Sequence, residues 1–153
     1  MNTNQIFELI NKDKFVKKTF CGILPIDKLP KNKINKTCSF IINTDPASQP
    51  GTHWFAMYIN KNHPIEYFDS FGRKPQHKEI KEFIRTNGGK YIFNEKVIQG
   101  NDSSNCGQFS IFYLYFRNRG YKMKDYIKFF TSNKDYNDMI IEKITNKIKK
   151  LYI

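Results

Sequence analysis

The chain has 153 residues, with 26 Lys and Arg against 14 Asp and Glu, which gives a formal net charge of +12. Its length predicts one domain over residues 1–153, and a 39% share of hydrophobic residues, with 14 Phe and 9 Tyr, excludes wholesale disorder. No apolar run approaches the roughly 18 residues of a membrane span, and the first residues lack the pattern of a secretory signal. We therefore expect a protein that neither enters a membrane nor is secreted.

The positive charge has two explanations. A basic surface attracts nucleic acid or another polyanion, so non-specific DNA is a candidate partner. However, only four of the basic residues are Arg, and the abundant Lys, Asn and Ile share A/T-rich codons, so a biased nucleotide composition also explains the charge. The scarcity of Arg argues against base-specific DNA recognition, in which Arg leads.

The first part of the chain predicts little regular structure. Residues 4–11 predict a short helix with Thr3 as its cap. Residues 21–37 predict an irregular segment, because Pro25 and Pro30 interrupt any regular pattern.

Three strand-like runs follow, at Cys38–Asn43, Thr52–Asn60 and Ile65–Phe68. The turn-forming residues 61–64 separate the second run from the third, so these two runs predict a β-hairpin.

The rest of the chain alternates helical and extended patterns. Gln76–Asn87 predicts a helix, Lys90–Ile98 a strand or two short strands, and Gly107–Phe116 a buried helix. Two more helices are predicted near 123–131 and 135–150, the last with Met139, Ile140, Ile144 and Ile148 on one apolar face. Strands flanked by segregated helices predict an α+β fold.

The three cysteines, Cys21, Cys38 and Cys106, are an odd number at wide spacing without a CxxC pair. This pattern predicts neither a disulfide framework nor a metal site, and it favours a reducing compartment. Cys21 and Cys38 are interpreted as structural residues.

Cys106 follows the polar loop Gly100–Asn105 and begins an apolar helix. At a helix N-terminus the free N–H groups and the helix dipole stabilise a thiolate, which favours a nucleophilic role. Gly107 would let a substrate backbone approach the sulfur. The alternative is an ordinary buried cysteine at a helix start.

A thiol nucleophile needs a base, and the chain offers His53, His63 and His77. All three precede Cys106, which excludes the chain order of papain. His53 is the predicted base because it lies in a strand-like run that would hold its side chain rigidly. His63 lies in a turn and His77 starts an exposed helix, so both are predicted to be surface residues.

The imidazole needs a partner on its other nitrogen. Asp69 follows the third strand-like run, and the predicted hairpin brings it to the end of the sheet at which His53 lies. The alternative for Asp69 is a turn former that caps its own loop.

Acyl transfer also needs donors to the oxyanion. The backbone N–H of Cys106 is one candidate, and the side-chain amide of Gln99, seven residues upstream, is the other. The alternative for Gln99 is an exposed loop residue.

Three segments, Gly51–Trp54, Phe68–Gly72 and Gln99–Gly107, together resemble the adenovirus maturation proteases and, more distantly, the ubiquitin-like-protein-specific cysteine proteases. The shared order is His, Asp or Glu, Gln, Cys, and the resemblance covers roughly residues 20–120. It implies an α+β fold in which a mixed central β-sheet is flanked by helices. The nucleophile would begin a buried helix, as in adenain-like proteases.

The same resemblance implies a cysteine endopeptidase that cleaves capsid or other virion precursor proteins during maturation. Such an enzyme acts in the virion and in the host cell interior, at the site of virus assembly. We separately expect the chain to be a monomer. The implied catalytic residues are His53, Asp69, Gln99 and Cys106, and the residues expected at the substrate are Gly51, Trp54 and Gly107, although Trp54 also suits core packing. The Lys, Asn and Ile bias suits an A/T-rich viral source such as a virophage or polinton-like element.

The family resemblance also bears on activators. The adenovirus enzyme is activated by a capsid-derived peptide held through a disulfide and by DNA. Residues 88–98, ahead of Gln99, contain no cysteine, so a disulfide-held peptide is not expected here. The sequence requires no cofactor, and DNA and a non-covalent activating peptide are the candidates.

Three alternative functions also fit parts of the sequence. The same chemistry would serve an isopeptidase or peptidase that acts on a ubiquitin-like modifier. The charge alone would fit a basic DNA-binding virion protein without activity. A catalytically dead protease homologue with a scaffold role lies between them.

Overall fold

A five-stranded mixed β-sheet forms the centre of the computed structural model, which describes residues 1–151. The strands are β1 (Phe20–Pro25), β2 (Cys38–Asn43), β3 (Trp54–Ile59), β4 (Ile65–Phe68) and β5 (Tyr91–Phe93), and they lie side by side in chain order. The pairs β1–β2 and β4–β5 are parallel, and the other two pairs are antiparallel. The predicted hairpin is therefore present as β3 and β4.

Helices cover both faces of the sheet. They are α1 (Thr3–Asn11), α2 (Lys14–Lys17), α3 (Lys78–Thr86), α4 (Cys106–Arg117), α5 (Met123–Lys128) and α6 (Lys134–Lys150), and a 3-10 turn spans Ile26–Lys28. Helix α3 and the 3-10 turn pack on one face, and the other five helices pack on the opposite face with α4 at their centre. Among residues 1–151, no helix combines the length and apolarity that crossing a bilayer requires.

The uniformly apolar sequence of the central strand β3 follows from this layering. In β3, Ala56 and Tyr58 face α4, whereas Phe55, Met57 and Ile59 face α3. Because both faces of the strand are buried, its sequence shows no alternation of apolar and polar residues.

A buried polar cluster joins the C-terminal end of α4 to β4. The Nε of Arg117 donates to Glu66 Oε1 at 2.9 Å and to Oε2 at 2.7 Å, and the Tyr113 hydroxyl donates to the same carboxylate. The Arg117 guanidinium also lies 4.4 Å from the ring centre of Tyr58. These contacts fix where α4 lies along the sheet.

The expectation of irregular structure over 21–37 is wrong for its first residues, which form β1. The strand lies at the sheet edge and pairs with β2 in parallel, with an irregularity between Phe20 and Gly22. Pro25 is its last residue, where the missing N–H interrupts no ladder. A proline in the sequence therefore did not exclude a strand that ends at it.

The expectation that no disulfide forms is also wrong. Cys21 and Cys38 are bonded, with their Cα atoms 5.7 Å apart. They lie on the neighbouring strands β1 and β2, an adjacency that their sequence separation of 17 residues conceals. Cys106 is the free cysteine of the described chain.

Two helix details also differ from the expectations. Asn2, not Thr3, caps α1, because its side chain accepts from the Gln5 N–H at 3.0 Å and the Gln5 side chain accepts from its N–H in return. This reciprocal pair satisfies two of the free donors at the helix start.

Helix α6 is rotated relative to its expected apolar face. Ile144 and Ile148 pack against the core as expected, but Met139 is 39% exposed, and the polar Asn137 and Asp138 are buried. These two side chains bind the loop formed by residues 98–105. The periodicity of apolar residues could not reveal a face that is buried for its hydrogen bonds.

Replacing Arg117 by alanine should strongly destabilise the fold. The change leaves the Glu66 carboxylate buried without its cation, which should lower the free energy of unfolding by about 3 kcal/mol. Chemical denaturation monitored by circular dichroism measures the loss. Arg85→Ala, at an exposed position of α3, is the control and should change the value by less than about 0.5 kcal/mol. Equal stability of the two variants would contradict the anchoring role of Arg117.

Candidate active site

Cys106 is the first residue of α4, and its thiol is buried beside the start of the central strand β3. The imidazole of His53 and the backbone N–H groups of Trp54 and Gly107 lie around its sulfur and lower its pKa. Two backbone donors and an imidazole around one sulfur favour the thiolate over the thiol.

His53 lies immediately before β3, not inside the strand as expected. Its carbonyl oxygen still accepts from the Thr44 N–H at 3.0 Å, so the ladder with the preceding segment continues past it. The imidazole is 13% exposed, and its centre lies 5.3 Å from that of Phe71. The ring is therefore held by backbone pairing and by an aromatic neighbour.

Asp69 bonds to the imidazole of His53, with 2.9 Å between Oδ1 and Nε2. The register of the β3–β4 hairpin explains the contact, since Ala56 pairs with Phe68 and the two residues continue from the same end. With Nε2 bound to Asp69, Nδ1 is the nitrogen left for the sulfur of Cys106.

The side-chain carboxamide of Asn94 holds the backbone of Asp69 through two hydrogen bonds. Its Oδ1 accepts from the Asp69 N–H at 3.0 Å, and its Nδ2 donates to the Asp69 carbonyl at 2.5 Å. The Phe71 N–H donates to Asp69 Oδ1 at 2.9 Å. A side chain at Gly72 would lie 2.7 Å from the backbone oxygen of Glu95, so this tight turn requires glycine.

The pKa values of the two central groups shift towards an ion pair. Burial by itself would lower the pKa of His53, but hydrogen bonds to Asp69 and Cys106 and the charges of both raise it from 6.5 to about 9. Burial by itself would raise the pKa of Cys106, but His53 and the backbone donors outweigh it and lower the pKa. These opposite shifts favour the thiolate and imidazolium over the neutral thiol and imidazole.

Gln99 is fully buried, which excludes the alternative of an exposed loop residue. Its Oε1 accepts from the Ser70 hydroxyl at 2.5 Å, and its Nε2 donates to Ser103, at 2.8 Å to the carbonyl and 3.3 Å to the hydroxyl. Because Ser70 follows Asp69 directly, this amide is linked to the residue that holds His53.

The three residues expected at the substrate have different surroundings. Gly51 and Trp54 line a groove of about 500 Å³ that Met1 also lines. The Trp54 indole donates to the Met1 carbonyl at 3.0 Å. A side chain at Gly107 would lie 3.4 Å from Met1 and 3.5 Å from Trp54, so the space beside Gly107 is filled by these two residues and not by open groove.

Sequence analysis did not find several residues of this site. They are the hydrogen-bonding partners Ser70, Asn94, Ser103, Asn105 and Asp138 and the aromatic neighbour of His53, Phe71. All six are common loop, turn or helix residues, and their roles depend on contacts between segments far apart in the chain. Within the described residues, no three His, Cys, Asp or Glu side chains cluster as a metal site would require.

Comparisons with known proteins bear on the chain as a whole. The sequence matches no protein-family model. Over 94 residues it is 33% identical to a protein of Acanthamoeba polyphaga mimivirus named "Putative thiol protease R355". That match covers 55% of this chain and 30% of the mimivirus protein, so the chain spans less than a third of that relative.

Two solved structures have a similar fold. The ASFV pS273R protease superposes with a TM-score of 0.59 at 16% identity, over 92% of this chain and 66% of that one. The central domain of the uncharacterized Lpg1148 protein from Legionella pneumophila gives 0.51 at 13% identity, over 97% and 98%. The expected α+β fold, with a mixed sheet flanked by helices, is confirmed and is the fold of the pS273R protease.

The pH dependence of thiol alkylation tests the ion pair. In the native chain, alkylation of Cys106 by iodoacetamide should begin below the usual thiol range, because its pKa is lowered. In His53→Ala the onset of alkylation should move to higher pH. Each unit by which the pKa of the Cys106 thiol rises should lower the alkylation rate at pH 6 about tenfold, because the thiolate fraction falls. Peptide mass spectrometry identifies the alkylated cysteine.

His63→Ala is the matched control, since His63 is exposed in the β3–β4 turn. It should leave the profile unchanged, and a profile that is the same in all three proteins would contradict the ion pair.

The imidazolium also stabilises the fold, because its pKa is higher than the unfolded value of 6.5. The contribution of His53 to the free energy of unfolding is complete below about pH 6.5 and is lost as the pH rises through about 9.

Proposed function

We propose that this chain is a cysteine protease in which Cys106 is the nucleophile. The observation that carries the proposal is the alignment of Cys106, His53 and Asp69 at the N-terminus of a buried helix, in which Asp69 bonds to the imidazole at 2.9 Å and the imidazole lowers the pKa of the thiol. A nucleophile, a base and a group that orients the base are the parts that acyl transfer needs.

The chemistry follows from these contacts. The Cys106 thiolate attacks the carbonyl carbon of the scissile bond and forms a tetrahedral oxyanion. The C–N bond then breaks, and the imidazolium of His53 gives its proton to the leaving amine. Water, deprotonated by the neutral imidazole, hydrolyses the thioester and returns the sulfur to its starting state.

The oxyanion would bind two N–H donors. One is the backbone N–H of Cys106, which has no partner inside the helix because it belongs to the first turn. The other is the Gln99 amide, whose longer bond to the Ser103 hydroxyl, at 3.3 Å, is the one that would turn towards substrate. The shorter bond to the Ser103 carbonyl, at 2.8 Å, keeps the amide oriented while its other N–H exchanges the hydroxyl for the oxyanion.

The comparisons support a protease of viral type. The mimivirus relative carries the name of a thiol protease, and a viral protease shares the fold. We propose virion precursor proteins as the substrates, which the resemblance to the adenovirus maturation proteases implies. Action in the virion and at the site of assembly belongs to the same proposal.

A peptidase or isopeptidase of a ubiquitin-like modifier is the second candidate. It rests on the same site and on the more distant resemblance to the ubiquitin-like-protein-specific proteases. DNA binding rests on the net charge of +12 alone, and as a cofactor interaction it would weaken steeply with salt.

Turnover of peptides tests the proposal. In a proteome-derived peptide library analysed by mass spectrometry, the chain should cleave internal bonds, and Cys106→Ala should abolish cleavage. Asp69→Ala should leave a residual rate, on the order of 10²-fold lower, because it removes the orienting group and keeps the nucleophile. His63→Ala should cleave as the unmodified chain does.

A second substrate separates the endopeptidase from the ubiquitin-like-modifier peptidase. A ubiquitin-like protein with a C-terminal coumarin amide reports the isopeptidase reading if it is cleaved while the library stays intact. Cleavage that persists in Cys106→Ala would overturn both readings.

A further inference from the structure

Asp138 is a buried carboxylate on α6 that the proposed mechanism does not use. It is 8% exposed, and none of the ion pairs among residues 1–151 includes it. It accepts three hydrogen bonds instead, from the Gly100 N–H at 2.8 Å, from the Asn105 amide at 3.0 Å and from the Ser103 hydroxyl. A buried charge satisfied only by donors of one loop is strongly tied to that loop.

All three donors lie between Gln99 and Cys106, the two residues proposed to bind the oxyanion. The Ser103 hydroxyl, which donates to Asp138, accepts in turn from Gln99 Nε2 at 3.3 Å and from the Asn105 N–H at 3.2 Å. The carboxylate thus orients the serine on which the Gln99 amide rests.

The two ends of the loop are held as closely as its middle. A side chain at Gly100 would lie 2.9 Å from Asp138 Oδ2, so the backbone approaches the carboxylate without a side chain between them. Asn105 immediately precedes Cys106 and also donates to Glu142 of α6 at 2.9 Å. Helix α6 therefore binds the loop through hydrogen bonds directly after Gln99 and directly before Cys106.

We propose that Asp138 is a positioning residue that sets the oxyanion-binding loop through Gly100, Ser103 and Asn105. This inference rests on the proposed function. The groups that stabilise the thiolate are His53 and the backbone of Trp54 and Gly107, and Asp138 contacts none of them. Asp138 should therefore affect steps that form an oxyanion and spare steps that need only the thiolate.

Two probes of Cys106 separate those steps. Iodoacetamide alkylates the thiolate by displacing iodide, and no oxyanion forms. p-Nitrophenyl acetate transfers its acetyl group to the sulfur through a tetrahedral oxyanion and releases p-nitrophenolate, after which water hydrolyses the thioester to acetate. The burst of p-nitrophenolate, after subtraction of the Cys106→Ala background, measures acylation.

Asp138→Ala should lower the acylation rate about tenfold or more, because the oxyanion donors lose their alignment. It should leave the alkylation rate and its pH profile within about twofold of the unmodified chain. Asp138→Asn keeps one acceptor oxygen and the side-chain shape, so its acylation rate should lie between the two. It also serves if the alanine variant does not fold.

Asp102→Asn is the matched control, with the same loss of charge at an exposed position of the same loop. It should leave both rates unchanged. Equal loss of acylation and alkylation in both Asp138 variants would overturn the inference, and so would acylation that neither variant lowers. An unmodified chain that gives no burst above the Cys106→Ala background would overturn the proposed function and the inference with it.

Discussion

The position of α4 against the central strands is the constraint on which the candidate site depends. At its C-terminal end, Arg117 and Tyr113 bind Glu66 of β4. At its N-terminal end, Cys106 lies against His53 and the backbone at the start of β3, which lower the pKa of its thiol. Because a helix moves as a rigid unit, a shift at the Arg117–Glu66 ion pair would move the Cys106 sulfur away from the His53 imidazole.

The electrostatics of the site oppose its burial. Desolvation disfavours both the imidazolium and the thiolate, and in each case it is the largest single influence on the pKa. Hydrogen bonds to Asp69, and to the sulfur from the backbone, together outweigh it. The pair therefore depends on alignment, because the same burial would neutralise both groups if those bonds lengthened.

Local pattern was enough to predict the hairpin, the buried helix that starts at Cys106 and the approach of Asp69 to His53. These features depend on short apolar runs, on the turn formers between them and on the length of the apolar helix, which a single sequence displays. The pattern failed where distant segments meet. Strand β1 depends on its pairing with β2, the Cys21–Cys38 bond depends on β1, and the buried face of α6 depends on the polar loop that it holds.

The contributions to the site differ in how far apart they lie along the chain. His53 and Asp69 belong to one hairpin and are 16 residues apart, whereas Cys106 lies 53 residues from His53. Hairpin formation can bring imidazole and carboxylate together early, but the thiolate is stabilised only when α4 docks on the completed sheet. A nascent or partly unfolded chain therefore carries an ordinary thiol, and the reactive sulfur itself reports that tertiary structure is complete.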